Sequence, residues 1–196
     1  KPEPGIYRRA SELVGAHNPL AIGDRLETDI MGAVAAGVPA MHVLTGVHMA
    51  RDVIRAPRGQ RPSYLAIDMR GLLEAHPAPK HHRDGTWTCG LSQVAKAQRS
   101  GVLTLDDVEL TEPVTITIDS YRALAAAAWE YADSAGSAPS CPEITVVSND
   151  DPAGIVTAPE PTAALEDGND FFDVAANADS LPEPGAETPA FLPGEE

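Results

Sequence analysis

Two aspartates five residues apart, Asp24 and Asp29, stand in the stretch LAIGDRLETDIMGAVAAGV that spans residues 20–38. Leu20-Ala21-Ile22 is short and wholly apolar, as a strand buried on both faces is, and Gly23-Asp24 closes it. Asp29 opens an alanine-rich helical run, so the four-residue loop between them can fold both carboxylates toward one point. That point lies at the carboxyl end of the strand, where open parallel sheets gather their ligands. Two carboxylates brought together repel unless something positive lies between them, and a hard, oxygen-preferring cation such as Mg2+ meets that need. The plainer alternative makes Asp24 a turn residue and Asp29 a helix N-cap.

The elements that must position these acids follow from periodicity. Pro4 suits a first helical turn, and Ile6, Ala10, Leu13 and Val14 mark an amphipathic helix to about Ala16. Thr28 or Asp29 can cap a helix through Ala36, with Gly37 as its stop, and Pro39 to Leu44 returns to strand character. Tyr64 to Ile67 is a third apolar run, and Asp68 can cap a helix from Met69 to His76. This alternation is that of a parallel sheet with covering helices, an α/β fold. Residues 77–85 are rich in Pro, His and charge and are expected to form a linker. In residues 86–134, the segments Val94 to Ala97, Val102 to Val108 and Val114 to Ile118 precede a helix that Asp119 or Ser120 could cap. That region is too short for a large core of its own and is expected to be a small α+β extension leaning on the first unit.

Charge divides the chain. Its 196 residues carry a formal charge of -15, yet residues 1–122 hold all 14 Lys and Arg against 14 Asp and Glu, while residues 123–196 hold 15 acids and no base. Residues 135–196, rich in Ala, Pro, Gly, Asp and Glu, are expected to be a mostly disordered acidic tail, with Ile144 to Val147 and Phe171-Phe172 as its apolar points. No basic stripe fit for phosphates is present, which argues against nucleic acid. Arg51, Arg55, Arg58 and Arg61 are expected to form a solvated loop or to meet an anionic substrate. No apolar run reaches the ~20 residues of a membrane span. Cys89 and Cys141 stand in unrelated contexts and fit reduced thiols of a cytoplasmic protein. His81-His82 with Asp84 lacks a further ligand at metal-site spacing. His42, in an apolar strand, is expected to be a packed core histidine, and His48, just past Gly46, to line a substrate mouth.

The phrases KPEPGIYRRA, IGDRLETDI, GAVAAGVPAMHVLTGV and RPSYLAIDMRGLLEA occur in that order over residues 1–76. They resemble the C-terminal half of a haloacid dehalogenase (HAD) superfamily phosphatase, most of all the subgroup of NagD-like, glycerol-phosphate and phosphoglycolate phosphatases. The resemblance implies the C-terminal half of a Rossmann-like core. It makes Lys1 the lysine that steadies the charge of an aspartyl nucleophile and its phosphorylated form, and Asp24 a Mg2+ ligand. Asp29 would hold metal-bound waters or the lysine. Gly23 would permit the tight turn beside the metal, and Arg25 and His48 are candidate substrate contacts. Phosphoryl transfer calls for such a clamp, because most of its catalysis is positioning and charge stabilisation. Some relatives carry a C-terminal extension likened to an acyltransferase fold. Trp87-Thr88-Cys89-Gly90 and residues 101–108 are its candidates here, without the Gly-rich loop that coenzyme A binding would need.

The nucleophilic aspartate, its acid-base partner two residues on and the phosphate-binding Ser or Thr of the family have no counterpart in the chain. The expectation is therefore a fragment of a Mg2+-dependent phosphatase that hydrolyses a small phosphorylated metabolite through an aspartyl-phosphate, inactive by itself. The alternative is a non-catalytic interaction module whose acidic tail binds a basic partner. A receiver-like reading of Lys1-Pro2 leaves the Asp24 to Asp29 unit unexplained. Substrate identity and oligomeric state are not legible.

Overall fold

The structure, a computed structural model, describes residues 1–158, which form one compact unit. Helix α1 (Gly5–Val14) precedes three parallel strands in sequential order, β1 (Ala21–Gly23), β2 (Ala40–Val43) and β3 (Tyr64–Ala66). Ala21 pairs with Ala40, and Met41 with Tyr64. Every residue of β2 is buried, as befits the middle strand of a sheet packed on both faces. Ala40 and Leu65 face the main core with Ile30, Ala33, Val53 and Ile54, and Met41, Val43 and Ala66 form a small cluster on the other side.

The connection from β1 to β2 departs from expectation. A π-helical turn, Leu26–Ile30, runs directly into α2 (Met31–Ala36), so the helical backbone starts at Leu26 and Asp29 lies inside it instead of capping it. Gly37, left-handed at φ 72°, ends α2 as expected. Asp68 accepts from the Arg70 N–H, but the helix it starts is a short 3-10 turn, Met69–Leu73. Helix α1 forms where its periodicity puts it, yet Ile6, Leu13 and Val14 are exposed and Tyr7 is its inward contact. Helix α3 (Ala50–Ile54) carries Val53 and Ile54 into the core.

Residues 77–85 are not wholly a linker. Strand β4 (Lys80–His81) pairs with β5 (Trp87–Thr88) and opens an antiparallel sheet completed by β6 (Ala95–Ala97), β7 (Leu103–Leu105) and β8 (Val108–Glu109). His81 lies against the Trp87 ring, with centroids 4.9 Å apart, and the Asp84 carboxylate closes the hairpin through Thr86. Among the described residues no group of three or more His, Cys, Asp or Glu assembles for a metal. Strand β9 (Val114–Thr117), helix α4 (Ile118–Ala135) and strand β10 (Ile144–Val147) form a parallel crossover, Ile144 pairing with Val114. The cap of α4 is Thr117, which leaves Asp119 for another use.

Strand β10 corrects the expected tail. Residues 135–158 fold back on the body, burying Cys141 and Ile144, because the alternating Ile144 and Val146 supply an apolar face that α4 and β9 cover. The rest of that tail, residues 159–196 with Phe171 and Phe172, lies outside the described residues. Helix α4 unites the two sheets: Leu124 and Ala128 join the same core as Val53 and Leu103, and the Trp129 Nε1–H donates to the Val53 carbonyl at 2.9 Å. Three residues of the arginine run, Arg51, Arg58 and Arg61, make ion pairs at this junction, while Arg55 and Arg58 are exposed, as a solvated run would be. Arg58 and Arg61 both pair with Asp133 at 2.9 Å, Arg51 pairs with Glu143, and Arg61 lies over Trp129.

Cys89 and Cys141 are free, buried thiols, and burial pushes both pKa values up to about 11. At pH 8 both stay protonated and shielded, so a thiol-specific disulfide reagent is expected to modify neither in the folded chain and both after urea unfolding. Modification of the native protein at more than about a tenth of the rate of free cysteine contradicts this.

Candidate functional site

The carboxyl ends of β1 and β2, and the turns that leave them, collect the polar residues that matter. Gly23 ends β1, and Arg25 is extended at φ -113° and ψ 121°. The N–H groups of Asp29 and Ile30 both reach the Arg25 carbonyl, at 3.0 and 3.1 Å, which tightens the turn and swings Asp29 back over the strand end. The Lys1 ammonium donates to Asp29 Oδ1 at 2.7 Å, the Arg25 N–H donates to Asp29 Oδ2 at 3.3 Å, and the Tyr7 hydroxyl donates to the Asp29 carbonyl at 2.9 Å. Asp29 is thus buried and engaged at both carboxylate oxygens. A Cβ on Gly23 would overlap the Asp29 side chain, so the residue there must be glycine for this approach.

Asp24 is held differently. Its Oδ2 accepts the Val47 N–H at 2.7 Å, and Oδ1 accepts no hydrogen bond from the side chain or backbone of another described residue. A Cβ on Gly46 would fall inside the Asp24 carboxylate, so Gly46 clears the space this side chain occupies. The Asp24 carbonyl accepts two hydrogen bonds, from the His48 N–H at 3.1 Å and from His42 Nε2 at 3.2 Å. Strand β2 and the loop after it therefore grip Asp24 at three points.

Electrostatics match the contacts. The Val47 N–H bond holds the Asp24 carboxyl below the usual carboxylate range, so it is ionised at neutral pH. The Asp29 hydrogen bond and charge raise the Lys1 ammonium above its ordinary value, with Asp24 adding to the same field. Burial lowers the His42 pKa, which keeps that ring neutral.

The structure brings Lys1, Gly23, Asp24 and Asp29 to one corner. Arg25 contributes its backbone N–H while its side chain is exposed. His48 turns inward: its Nδ1 accepts the Leu26 N–H at 3.1 Å, so the ring braces the Asp24 loop. Sequence reasoning missed Tyr7, Val47 and the tie from His42 to Asp24. A histidine in the otherwise apolar strand Ala40-Met41-His42-Val43 was the available signal. A cavity of about 420 Å³ lined by Leu20, Met41, Tyr64, Leu72 and His76 is bordered by none of the site carboxylates.

Residues 1–72 match the model of the HAD-hydrolase-like family. The chain is 35% identical over 136 residues to D-glycerol 3-phosphate phosphatase of Mycobacterium tuberculosis, covering 66% of this chain and 36% of that protein. It is 30% identical over 81 residues to dihydroxyacetone phosphatase of Corynebacterium glutamicum, covering 40% of this chain and 29% of the relative. A crystal structure of the glycerol phosphate phosphatase from Mycobacterium tuberculosis in complex with magnesium aligns over 77% of this chain and 40% of that one, with 27% identity and a TM-score of 0.46. The chain thus spans about a third of the length of these curated relatives. The 136 aligned residues outrun the 72 of the family match, so the similarity continues into the second sheet and its helix. The residues that match this family, 1–72, are the ones that gather the lysine, the two aspartates and the glycines at one corner of a parallel sheet, and in that part the chain is similar to the haloacid dehalogenase-like hydrolases.

Proposed function

We propose that this chain supplies the lysine and metal half of a phosphatase that hydrolyses a small phosphomonoester, of which glycerol 3-phosphate is the first to try. The observation that carries the reading is the pairing of Lys1 Nζ with Asp29 Oδ1 at 2.7 Å beside an Asp24 carboxylate that keeps one oxygen uncommitted. Asp24 suits a hard cation: it is ionised, it projects from the carboxyl end of β1, and Gly46 leaves it room. Asp29, with both oxygens engaged, is better placed to aim Lys1 than to bind metal directly. Lys1 then offers a fixed positive charge to the negative oxygens of the phosphoryl group and of its acceptor, at no cost in reorganisation when charge moves. Mg2+ held at Asp24 would neutralise charge on the transferring phosphoryl group.

The acceptor aspartate of such a reaction lies, on this reading, in the portion of the relatives that the chain does not span; no Asp-x-Asp follows a strand among the described residues. The two buried thiols support a reducing, cytoplasmic setting. The rival interaction module would rest on residues 159–196, which lie outside the described residues.

A chimaera carrying the unmatched portion of the Mycobacterium tuberculosis relative ahead of Lys1 is expected to release inorganic phosphate from glycerol 3-phosphate in Mg2+ and to stop on chelation. A folded chimaera that releases none rejects the proposal.

A further inference from the structure

His42 is an expensive choice for its position. It is fully buried in β2, where the neighbouring Ala40, Met41 and Val43 show that an apolar side chain would serve for packing. Its Nδ1 has no hydrogen-bond partner among the described residues, and an unpaired buried nitrogen destabilises a fold. What the ring gains is a single contact, Nε2 to the Asp24 carbonyl at 3.2 Å. With Nδ1 unpaired, the tautomer that fits carries the proton on Nε2 and donates it to that carbonyl. Register explains the reach, since His42 pairs across the sheet with Gly23, the residue before Asp24.

Asp24 is consequently tied at both ends. His42 and the His48 N–H fix its carbonyl, while the Val47 N–H fixes one oxygen of its carboxylate. His48 Nδ1 adds a tie to the Leu26 N–H. A side chain that fixes a peptide plane at the exit of a strand fixes the direction of the next carboxylate, as groups behind metal ligands commonly do. We propose that His42 is a positioning residue, its Nε2–H locking the Asp24 loop so that the carboxylate presents its free oxygen in one direction. The consequence for metal binding rests on the proposed function; the locking of the loop does not.

The test uses the full 196-residue chain, ¹⁵N-labelled and metal-free, with amide exchange followed at Leu26, Val47 and His48. His42→Leu is expected to speed exchange at these amides about 3- to 10-fold, the worth of one net hydrogen bond, while amides of β3 and α4 keep their rates. His42→Gln, whose side-chain N–H reaches the place of Nε2, is expected to restore the slow exchange. Should the leucine variant fail to fold, His42→Met against His42→Gln makes the same comparison at equal side-chain length. Unchanged exchange in the apolar variants, or a glutamine variant no slower than they are, overturns the proposal. Titration with Mg2+ alone then separates the two readings. Wild type is expected to bind about 10-fold more tightly than His42→Leu. If wild type binds no Mg2+, the metal reading of Asp24 falls and the exchange pattern still decides the role of His42.

Discussion

Asp24→Ala is expected to lower the phosphate release proposed for the chimaera at least about 1,000-fold while leaving the chain folded, because removal of one preorganised charge at a reacting phosphoryl group costs on that order or more. The asymmetry follows from the contacts. In the folded chain the Asp24 side chain accepts one hydrogen bond, from Val47, and its loss costs stability only about 1 kcal/mol. Asp29, its neighbour in the corner, has no free oxygen to take its place, since both of its oxygens are engaged by Lys1 and Arg25. Asp24→Asn keeps the shape and, through its amide oxygen, the Val47 contact, but carries no charge, and it is expected to be nearly as inactive. Acid tells the same story in stability. The folded carboxyl titrates below its unfolded value, so its contribution is complete above about pH 4 and disappears as pH falls through the lower folded pKa. Wild type should therefore lose more stability than Asp24→Ala below pH 4. Retention of more than about a tenth of the activity by Asp24→Ala removes this residue from the site.

The first half of the fold was legible because parallel strands buried on both faces leave a plain signature, and a strand formed at each of the runs 20–22, 39–44 and 64–67, shifted by one residue at the first. What misled were residues whose partners lie far along the chain. Thr28 and Asp29 have the composition of an N-cap, and nothing local reveals that Asp29 is claimed by Lys1, 28 residues earlier. Asp119 likewise has the look of a cap, but Thr117 takes that role. Arg51, Arg58 and Arg61 find their counter-charges at Asp133 and Glu143, more than 70 residues on. Strand β10 was hidden because the acidic, Pro-rich surroundings of Ile144 to Val147 outweigh four residues in any compositional window. His42 was placed correctly in the core, but its bond to Asp24 depends on the register of two strands, which a sequence does not display.

Asp119→Ala is expected to carry the largest stability loss of any single substitution discussed, about 3–5 kcal/mol, or a fall of roughly 6–20 °C in Tm for a body of this size. Asp119 and Arg122 are nearly inaccessible, with side chains 4% and 6% exposed, and their oxygen and nitrogen stand 2.8 Å apart. The guanidinium also donates twice to the Leu65 carbonyl, at 3.2 and 2.9 Å, and approaches His76 Nδ1 at 3.2 Å. The second Asp119 oxygen accepts from the Leu91 N–H and from Asn149 Nδ2, each at 3.0 Å. One buried ion pair therefore joins β3, α4 and the segments around residues 91 and 149. Alanine would leave a buried guanidinium without its counter-charge and two donors without acceptors, which is far costlier than exchanging both partners for apolar side chains. The double variant Asp119→Leu with Arg122→Met should accordingly recover the part of the loss that the uncompensated charge causes, a non-additivity that a solvent-exposed pair would not produce. Arg58 with Asp133 supplies the contrast: the arginine is 81% exposed, and breaking that pair should cost under about 1 kcal/mol. Urea unfolding of the four proteins checks the series, and a loss below about 1 kcal/mol for Asp119→Ala means that water reaches this junction.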